Sequence, residues 1–203
     1  MKSTNYILLL ILLFCFGCKN EVSKLEFKYQ DRTDILICDG LNTELLKEAL
    51  ISFEEDIFDT YDSERRLYNR SYSRFIGEAV NNKVDFTTVV SEHTKRVFEA
   101  LQKDESLWDL QNTNSYLNHK HKILACIGDN MLDEDLKETF NALIHANSMS
   151  VRMFADPLKT KTATIKEDRY LALFIALDYY YAKLHDVDFS TPESEKTKKE
   201  PLK

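Results

Sequence analysis

The chain has 203 residues, with 34 Asp and Glu against 27 Lys and Arg, so its formal net charge is −7. No basic stripe runs along it, and this acidic balance disfavours nucleic acid and anionic lipid as partners. Only four Gly and three Pro occur, fewer than strand-and-turn folds need. Together with the helical spacing of the apolar residues, the composition predicts an all-α, single-domain bundle of about six helices.

The N-terminal segment has three zones that are typical of a secretory signal peptide. A polar start contains Lys2, an unbroken run of ten apolar residues extends from Ile7 to Phe16, and Gly17 stands at the exit. Ten residues make a helix of about 15 Å, roughly half of what is needed to span the hydrocarbon core of a bilayer. A transmembrane anchor is therefore the weaker interpretation.

The exit of this segment reads CFGC and resembles the signal of a bacterial lipoprotein, in which a peptidase cuts before an acylated cysteine. Gly17 and Cys18 match the two most constrained positions of that motif, whereas Cys15 and Phe16 depart from it. The resemblance covers only residues 1–21. It implies lipidation of Cys18 by a diacylglyceryl group and often by a third acyl chain. An ordinary secretory signal and an uncleaved signal are the alternatives.

The same resemblance implies a cellular location. Two or more acyl chains, such as palmitate, anchor a protein stably to a bilayer, so we expect the membrane to be a partner through the lipid on Cys18. Lys19, directly after the cysteine, is not the Asp that retains some lipoproteins at the inner membrane. We therefore expect an exported, lipid-anchored protein of the cell envelope, and the outer membrane is favoured over the inner membrane.

The four cysteines separate into two pairs. Cys15 and Cys18 have CxxC spacing, but they lie in an apolar leader without the helix N-terminus or the further ligands that redox or zinc chemistry requires. If Cys15 leaves with the leader, Cys38 and Cys126 remain in a compartment that permits disulfides. A Cys38–Cys126 bridge is one interpretation, and two buried free thiols are the other.

The composition divides the chain into four parts. Residues 1–17 form the signal peptide, and 18–34 form a polar tether in which a weak alternation leaves room for a short strand. Residues 35–186 form the helical domain. Residues 187–203 are poor in apolar side chains and rich in Ser, Thr, Glu and Lys, a composition that predicts a disordered tail.

Apolar spacing and capping residues predict the helices of the domain. Six helices are expected, at about 43–61, 64–80, 86–103, 115–127, from 134 onward, and 166–184, and a further turn is expected at 148–154. Asn42, Asp85 and Asp133 are the predicted N-caps of the first, third and fifth helices. Gly128 is predicted to end the fourth helix, and Pro157 to end the further turn. The segment from Leu171 to Leu177 is apolar on every face. A helix of this kind is normally enclosed by others, so we predict that the C-terminal helix is central.

The sequence offers little support for metal or cofactor chemistry. On the predicted helix, His119 and His121 would point in nearly opposite directions, so they would be surface residues that cannot share an ion. The acidic stretch GDNMLDED lacks the oxygen ligand and the Gly that an EF-hand loop requires. HExxH, GxSxG and Gly-rich phosphate loops are absent. We predict no metal and no cofactor, and we assign no catalytic residue.

An acidic cluster lies at the end of the first predicted helix. It contains Glu54, Glu55, Asp56, Asp59 and Asp62. We interpret it as a solvated acidic face, and the alternative is a docking patch for a basic partner.

A candidate pocket is suggested by polar residues in apolar surroundings. Asp178 lies on the all-apolar helix and needs a hydrogen-bonding or charged partner if it is buried. Arg152 and Arg169 are the possible partners. Asn141 and His145 share one side of the fifth helix. The structural alternatives are a buried network or an exposed helix end for Asp178, and capping and turn chemistry for the other two.

These patterns predict an envelope-anchored lipoprotein that acts as a binding or interaction module for an unknown protein or small molecule. Its groove would lie between helices and use some of the 12 Phe and 10 Tyr residues. One alternative is an enzyme of unrecognised class with Asp178, His145 or His93 in its site. Another is an inhibitor or immunity-type protein that blocks a partner with its acidic face.

Lipidation can be tested by substitution. Cys18→Ala should leave the precursor uncleaved and abolish labelling by radioactive fatty acid, because the acyl acceptor is gone. Cys15→Ala is the matched control and should keep both processing and label. Labelling that persists in the Cys18→Ala chain would contradict the prediction.

Overall fold

The computed structural model describes residues 25–33 and 36–189, which form one all-α domain and confirm the predicted fold class. Within these residues there is no β-strand, only an isolated antiparallel bridge between Trp108 and Leu117. The helices are α1 (Thr43–Tyr61), α2 (Tyr68–Val80), α3 (Phe86–Val89), α4 (Glu92–Leu101), α5 (Lys122–Asn130), α6 (Glu134–His145), α7 (Val151–Lys159) and α8 (Arg169–Phe174).

Several predictions about the ends of the chain lie outside the described residues. They include the signal peptide at 1–17, lipidation of Cys18 and most of the tail, of which only 187–189 are described. None of the helices in the described part is long and apolar enough to cross a membrane. Residues 25–33 of the predicted tether pack on the domain without helix or strand, with Leu25 against the core and a turn in which the Arg32 amide donates to the Tyr29 carbonyl. We call residues 25–33 the N-terminal strap.

Helix α1 matches its prediction because its capping and its apolar spacing agree. The side chain of Asn42 accepts a hydrogen bond from the Leu45 amide, which satisfies one of the free N–H groups of the first turn. The predicted apolar positions, from Leu46 to Tyr61, are all buried. Helix α2 begins at Tyr68, later than predicted, because the Asp62 carboxylate accepts from the Leu67 amide and holds a turn before it.

The predicted helix at 86–103 is divided by a second cap. Asp85 caps α3 as expected, but Ser91 is extended and its hydroxyl accepts from the Thr94 amide to begin α4. The Ser91 amide donates to the buried carboxylate of Asp56, at 3.2 Å. This tertiary hydrogen bond takes the Ser91 N–H out of the helical ladder, so one predicted helix becomes two.

Helices α5 and α7 also depart from prediction. Residues 115–121 are irregular, because Leu117 bridges Trp108, and α5 begins only at Lys122. Helix α5 continues past Gly128 to Asn130, and any side chain at Gly128 would collide with Asn141 of α6. Pro157 does not end α7; it lies inside the final turn.

The C-terminal helical segment is the centre of the bundle, as predicted. Helix α8 continues as a π-helical segment, Ile175–Tyr180, and a 3₁₀ segment, Tyr181–Asp186. Every residue from Leu171 to Ala182 is at most 1 % exposed. The three successive tyrosines in this region point to different partners. Their hydroxyls donate to the Val151 carbonyl, the Asp56 carboxylate and the Ala49 carbonyl.

A disulfide joins Cys38 to Cys126, with the Cα atoms 5.8 Å apart and a sequence separation of 88. Of the two interpretations of this cysteine pair, the structure contains the bridge. It ties the extended segment before α1 to α5. In the chain-entropy model, closing a loop of this size stabilises the folded state by at most about 4.6 kcal/mol.

We predict that Cys126→Ser lowers the free energy of unfolding by about 2–4 kcal/mol, because the unfolded chain regains the entropy of the open loop. Denaturant titration of the oxidised protein measures the change, and non-reducing peptide mapping identifies the Cys38–Cys126 link. Reductant should lower the midpoint of the wild type and leave that of Cys126→Ser unchanged. A wild-type midpoint that does not respond to reductant would refute the prediction.

Candidate functional site

The acidic cluster on α1 is not a solvated face. Glu54 is 1 % exposed and Asp56 is 5 % exposed, so that interpretation is wrong for both residues. Glu55 and Asp59 do reach the surface, where both pair with Arg66 at 2.5 and 2.6 Å. The buried carboxylates hold the domain together instead of facing a partner.

Glu54 connects α1 to two other helices. Its carboxylate accepts two hydrogen bonds from the Arg169 guanidinium, at 2.7 and 2.9 Å, and one from the Tyr72 hydroxyl at 2.7 Å. Burial raises the pKa of Tyr72 well above its ordinary value, and the negative charge of Glu54 adds to this effect. The phenol therefore stays protonated and acts as a donor. Bidentate Arg–carboxylate pairing with a third donor is the geometry that a buried carboxylate needs.

Asp56 is held by neutral donors. The Tyr180 hydroxyl lies 2.5 Å from its Oδ2 and the Ser91 amide 3.2 Å from the same oxygen. Burial raises the pKa of Asp56, and hydrogen bonds from Thr94, Tyr180 and Ser91 oppose that rise. The side chain therefore links α1, α4 and the central helix, and no described Lys or Arg forms an ion pair with it.

Glu48 attaches the N-terminal strap to the bundle. Its fully buried carboxylate accepts from the backbone amides of Lys28 and Tyr29, at 2.6 and 3.0 Å, and lies 2.6 Å from His93 Nε2. Burial lowers the pKa of His93, against the effect of Glu48. Lys47 adds bonds from its ammonium to the carbonyls of Gln30 and Arg32.

A cavity with a volume of about 560 Å³ lies beside the strap. We call it the leucine cavity. It opens between the strap, the start of α1, the end of α4 and the start of α5. Its apolar lining consists of Leu25, Phe27, Leu41, Leu45, Leu46, Ala100, Leu101, Leu107 and Ile123. Its polar lining consists of Asn42, Lys103, Asp104 and His121.

The lining differs from the predicted aromatic groove. Phe27 is the single Phe, Tyr or Trp among the described lining residues. The other large rings pack with one another in the core, as Phe53 does with Tyr72, Phe75 and Tyr180. The cavity is therefore aliphatic, and the aromatic side chains contribute to stability.

His121 forms part of the cavity wall and caps α5. Its Nδ1 accepts from the Ile123 amide, so the neutral ring carries its proton on Nε2, which lies 3.5 Å from Asp104 Oδ2. Burial lowers the pKa of His121; Asp104 opposes this effect and Lys122 adds to it. The prediction of two surface histidines on a helix is wrong, because His119 and His121 are 6 % and 8 % exposed in an irregular segment.

Asp178 is fully buried and belongs to a different network from the one expected. The Ser115 hydroxyl donates to its Oδ1, and His119 Nε2 lies 3.4 Å from the same atom. Neither predicted arginine is its partner, since Arg152 is exposed and Arg169 binds Glu54. Residues 115–121 follow an irregular path because of these contacts, which a helical interpretation could not reveal.

The remaining pocket residues do not join Asp178. His145 is exposed at the end of α6, where its Nδ1 lies 2.8 Å from the Asn141 carbonyl of the preceding turn. The Asn141 side chain packs against Gly128. The candidate pocket of Asp178, His145, Asn141 and Arg152 is therefore not a single site, because its members are divided between the core and the surface.

Sequence reasoning missed Leu25, Phe27, Lys103 and His121 as site residues. The alternation of Leu25, Phe27 and Tyr29 was a signal, since these side chains are half-buried while Glu26 and Lys28 are exposed. Lys103 has no such signal, because its position at the cavity follows only from how α4 ends. Within the described residues, no group of three or more His, Cys, Asp or Glu side chains is placed to hold a metal ion.

No protein-family model matches the chain, and comparison with curated proteins and with solved structures gives no significant match. The leucine cavity and its polar rim are thus the features on which a function can be based.

We predict that acidification destabilises the domain through His121. Because the folded state lowers its pKa, the unfolded chain binds the proton first, so stability is highest above the ordinary pKa of 6.5 and falls below it. The slope attributable to one such group is at most about 1.4 kcal/mol per pH unit. His121→Asn keeps a side chain that can cap α5 but does not titrate in this range. The free energy of unfolding, measured from about pH 7.5 to about pH 5.5, should therefore fall less steeply for this variant than for the wild type.

The exposed His145 provides the matched control for that experiment. His145→Asn removes a histidine from the surface, and its slope over the same pH range is the reference against which the effect of His121→Asn is compared. Equal slopes for the wild type and His121→Asn would show that the cap does not depend on the neutral ring.

Proposed function

We propose that this protein is a lipid-anchored lipoprotein of the cell envelope whose domain binds a small apolar ligand in the leucine cavity. The observation that carries the proposal is the cavity itself, which has a volume of about 560 Å³ and a lining dominated by aliphatic side chains. This volume lies within the range of small-molecule sites, in which a mostly apolar wall with a few polar groups is typical.

The position of the cavity along the chain supports the same proposal. Leu25, in the cavity wall, is seven residues after Cys18. A fully extended chain of that length spans at most about 25 Å. If Cys18 carries the lipid, the cavity is held close to the bilayer surface, where apolar molecules concentrate.

The two alternative functions have less support. The alternative of an enzyme with Asp178, His145 or His93 in its site has less support, because Asp178 and His93 are buried with hydrogen-bonding partners and His145 is exposed at the end of α6. An acidic docking face would need Glu54 and Asp56 at the surface, but both are buried. The remaining exposed acids of that cluster already pair with Arg66.

Filling the cavity tests the proposal. Ala100 lines it from α4, so Ala100→Phe should occupy space that a ligand needs. We expect a neutral fluorescent probe such as phenylnaphthylamine to bind the chain from residue 18 onward carrying Cys18→Ser. In the same background, Ala100→Phe should weaken binding about tenfold, or about 1.4 kcal/mol.

Ala142 provides a matched control, because it is an exposed alanine of α6 and is not among the residues that line the cavity. Ala142→Phe should leave the affinity for the probe unchanged. Thermal unfolding of both variants confirms that they are folded. Equal affinity of Ala100→Phe and the parent chain, with both folded, would refute the proposal.

A further inference from the structure

The charged groups at the leucine cavity are unequally available to a ligand. Asp104 already has partners, since its Oδ1 accepts from the amide and the hydroxyl of Ser106, and its Oδ2 lies 3.5 Å from His121 Nε2. The neutral His121 has both ring nitrogens engaged, with Ile123 and with Asp104. Both carboxylate oxygens of Asp104 and both ring nitrogens of His121 thus have partners, although the partners of Asp104 are neutral and leave its negative charge in place.

Lys103, in contrast, has no described partner for its charged group. It lines the cavity at the end of α4, and its exposed ammonium makes no hydrogen bond or ion pair with any described residue. The neighbouring Lys122 does have a partner, because its ammonium donates to the Gly40 carbonyl. Among the charged side chains that line the cavity in the described part of the chain, Lys103 is therefore the one whose charged group has no partner, and it lies beside an aliphatic wall.

We infer that the ligand of the leucine cavity is a single-chain amphiphile with a carboxylate head, that is, a free fatty acid. Its hydrocarbon chain would lie among Leu25, Leu45 and Leu107, and its carboxylate would contact Lys103. This inference rests on the proposed function and adds the chemical class of the ligand. An unpaired cation at the rim of an aliphatic cavity complements both parts of such a molecule.

The head group distinguishes a free fatty acid from other molecules that carry an acyl chain. Chains on an acylated cysteine are linked as esters or amides, so they carry no carboxylate for Lys103 to contact. A phosphate head would carry a charge of the same sign with different geometry. The dependence of binding on Lys103 and on the head group therefore distinguishes these sources.

The experiment compares ligands that have the same chain. Laurate, dodecanol and dodecyl phosphate are titrated calorimetrically below their micelle concentrations into the chain from residue 18 onward with Cys18→Ser, which keeps every described residue. Laurate should bind about threefold to fivefold more tightly than dodecanol, the gain expected from a solvent-exposed ion pair. Lys103→Gln should remove this difference and leave the affinity for dodecanol unchanged.

Lys159→Gln is the matched control, because Lys159 is an exposed lysine of α7 that pairs with Asp156 and is not among the residues lining the cavity. It should preserve the preference for laurate, whereas Lys103→Glu should make dodecanol the tighter ligand. The inference is overturned if laurate is not preferred over dodecanol, if Lys103→Gln leaves its affinity unchanged, or if dodecyl phosphate binds more tightly than laurate.

Failure of the inference and failure of the proposed function give different results. If dodecanol binds as tightly as laurate and Ala100→Phe weakens both, the cavity binds apolar chains and only the carboxylate assignment is wrong. If none of the three ligands binds the folded chain, the proposed function fails with it.

Discussion

A buried ion pair between Glu54 and Arg169 joins two elements that lie 115 residues apart in the chain. A carboxylate inside a protein is costly unless donors surround it, so α1 can occupy the interior only when Arg169 and Tyr72 reach Glu54. Asp56 and Glu48 repeat the requirement along the same helix, with donors from the central helix, α4 and the strap. The carboxylates of α1 thus specify how the other elements are arranged.

The leucine cavity depends on this arrangement. Glu48 holds the backbone at Lys28 and Tyr29, which places the neighbouring Leu25 and Phe27 as one wall. The disulfide ties the segment between the strap and α1 to α5, whose Ile123 also lines the cavity. The segment that follows the proposed lipid attachment site is therefore also a wall of the proposed binding site, so anchoring and binding involve one continuous stretch of chain.

Local signals predicted much of the fold and little of the site. Asn42, Asp85 and Asp133 cap helices where expected, because an N-cap acts on residues two or three positions away. The division at Ser91 was missed because it depends on Asp56, which lies 35 residues earlier. The late start of α5 was missed for the same reason, since Ser115 is held by the distant Asp178.

The sequence by itself determined the all-α class, most capping positions and the central C-terminal helix, because periodicity and capping are properties of neighbouring residues. It also carries the lipoprotein-like leader from which export is proposed. Only the tertiary structure decided which polar residues are buried and where a cavity forms. Glu54, His119 and Lys103 are ordinary polar residues in the sequence, and their surroundings come from segments far along the chain, whose contacts exist only after the helices pack.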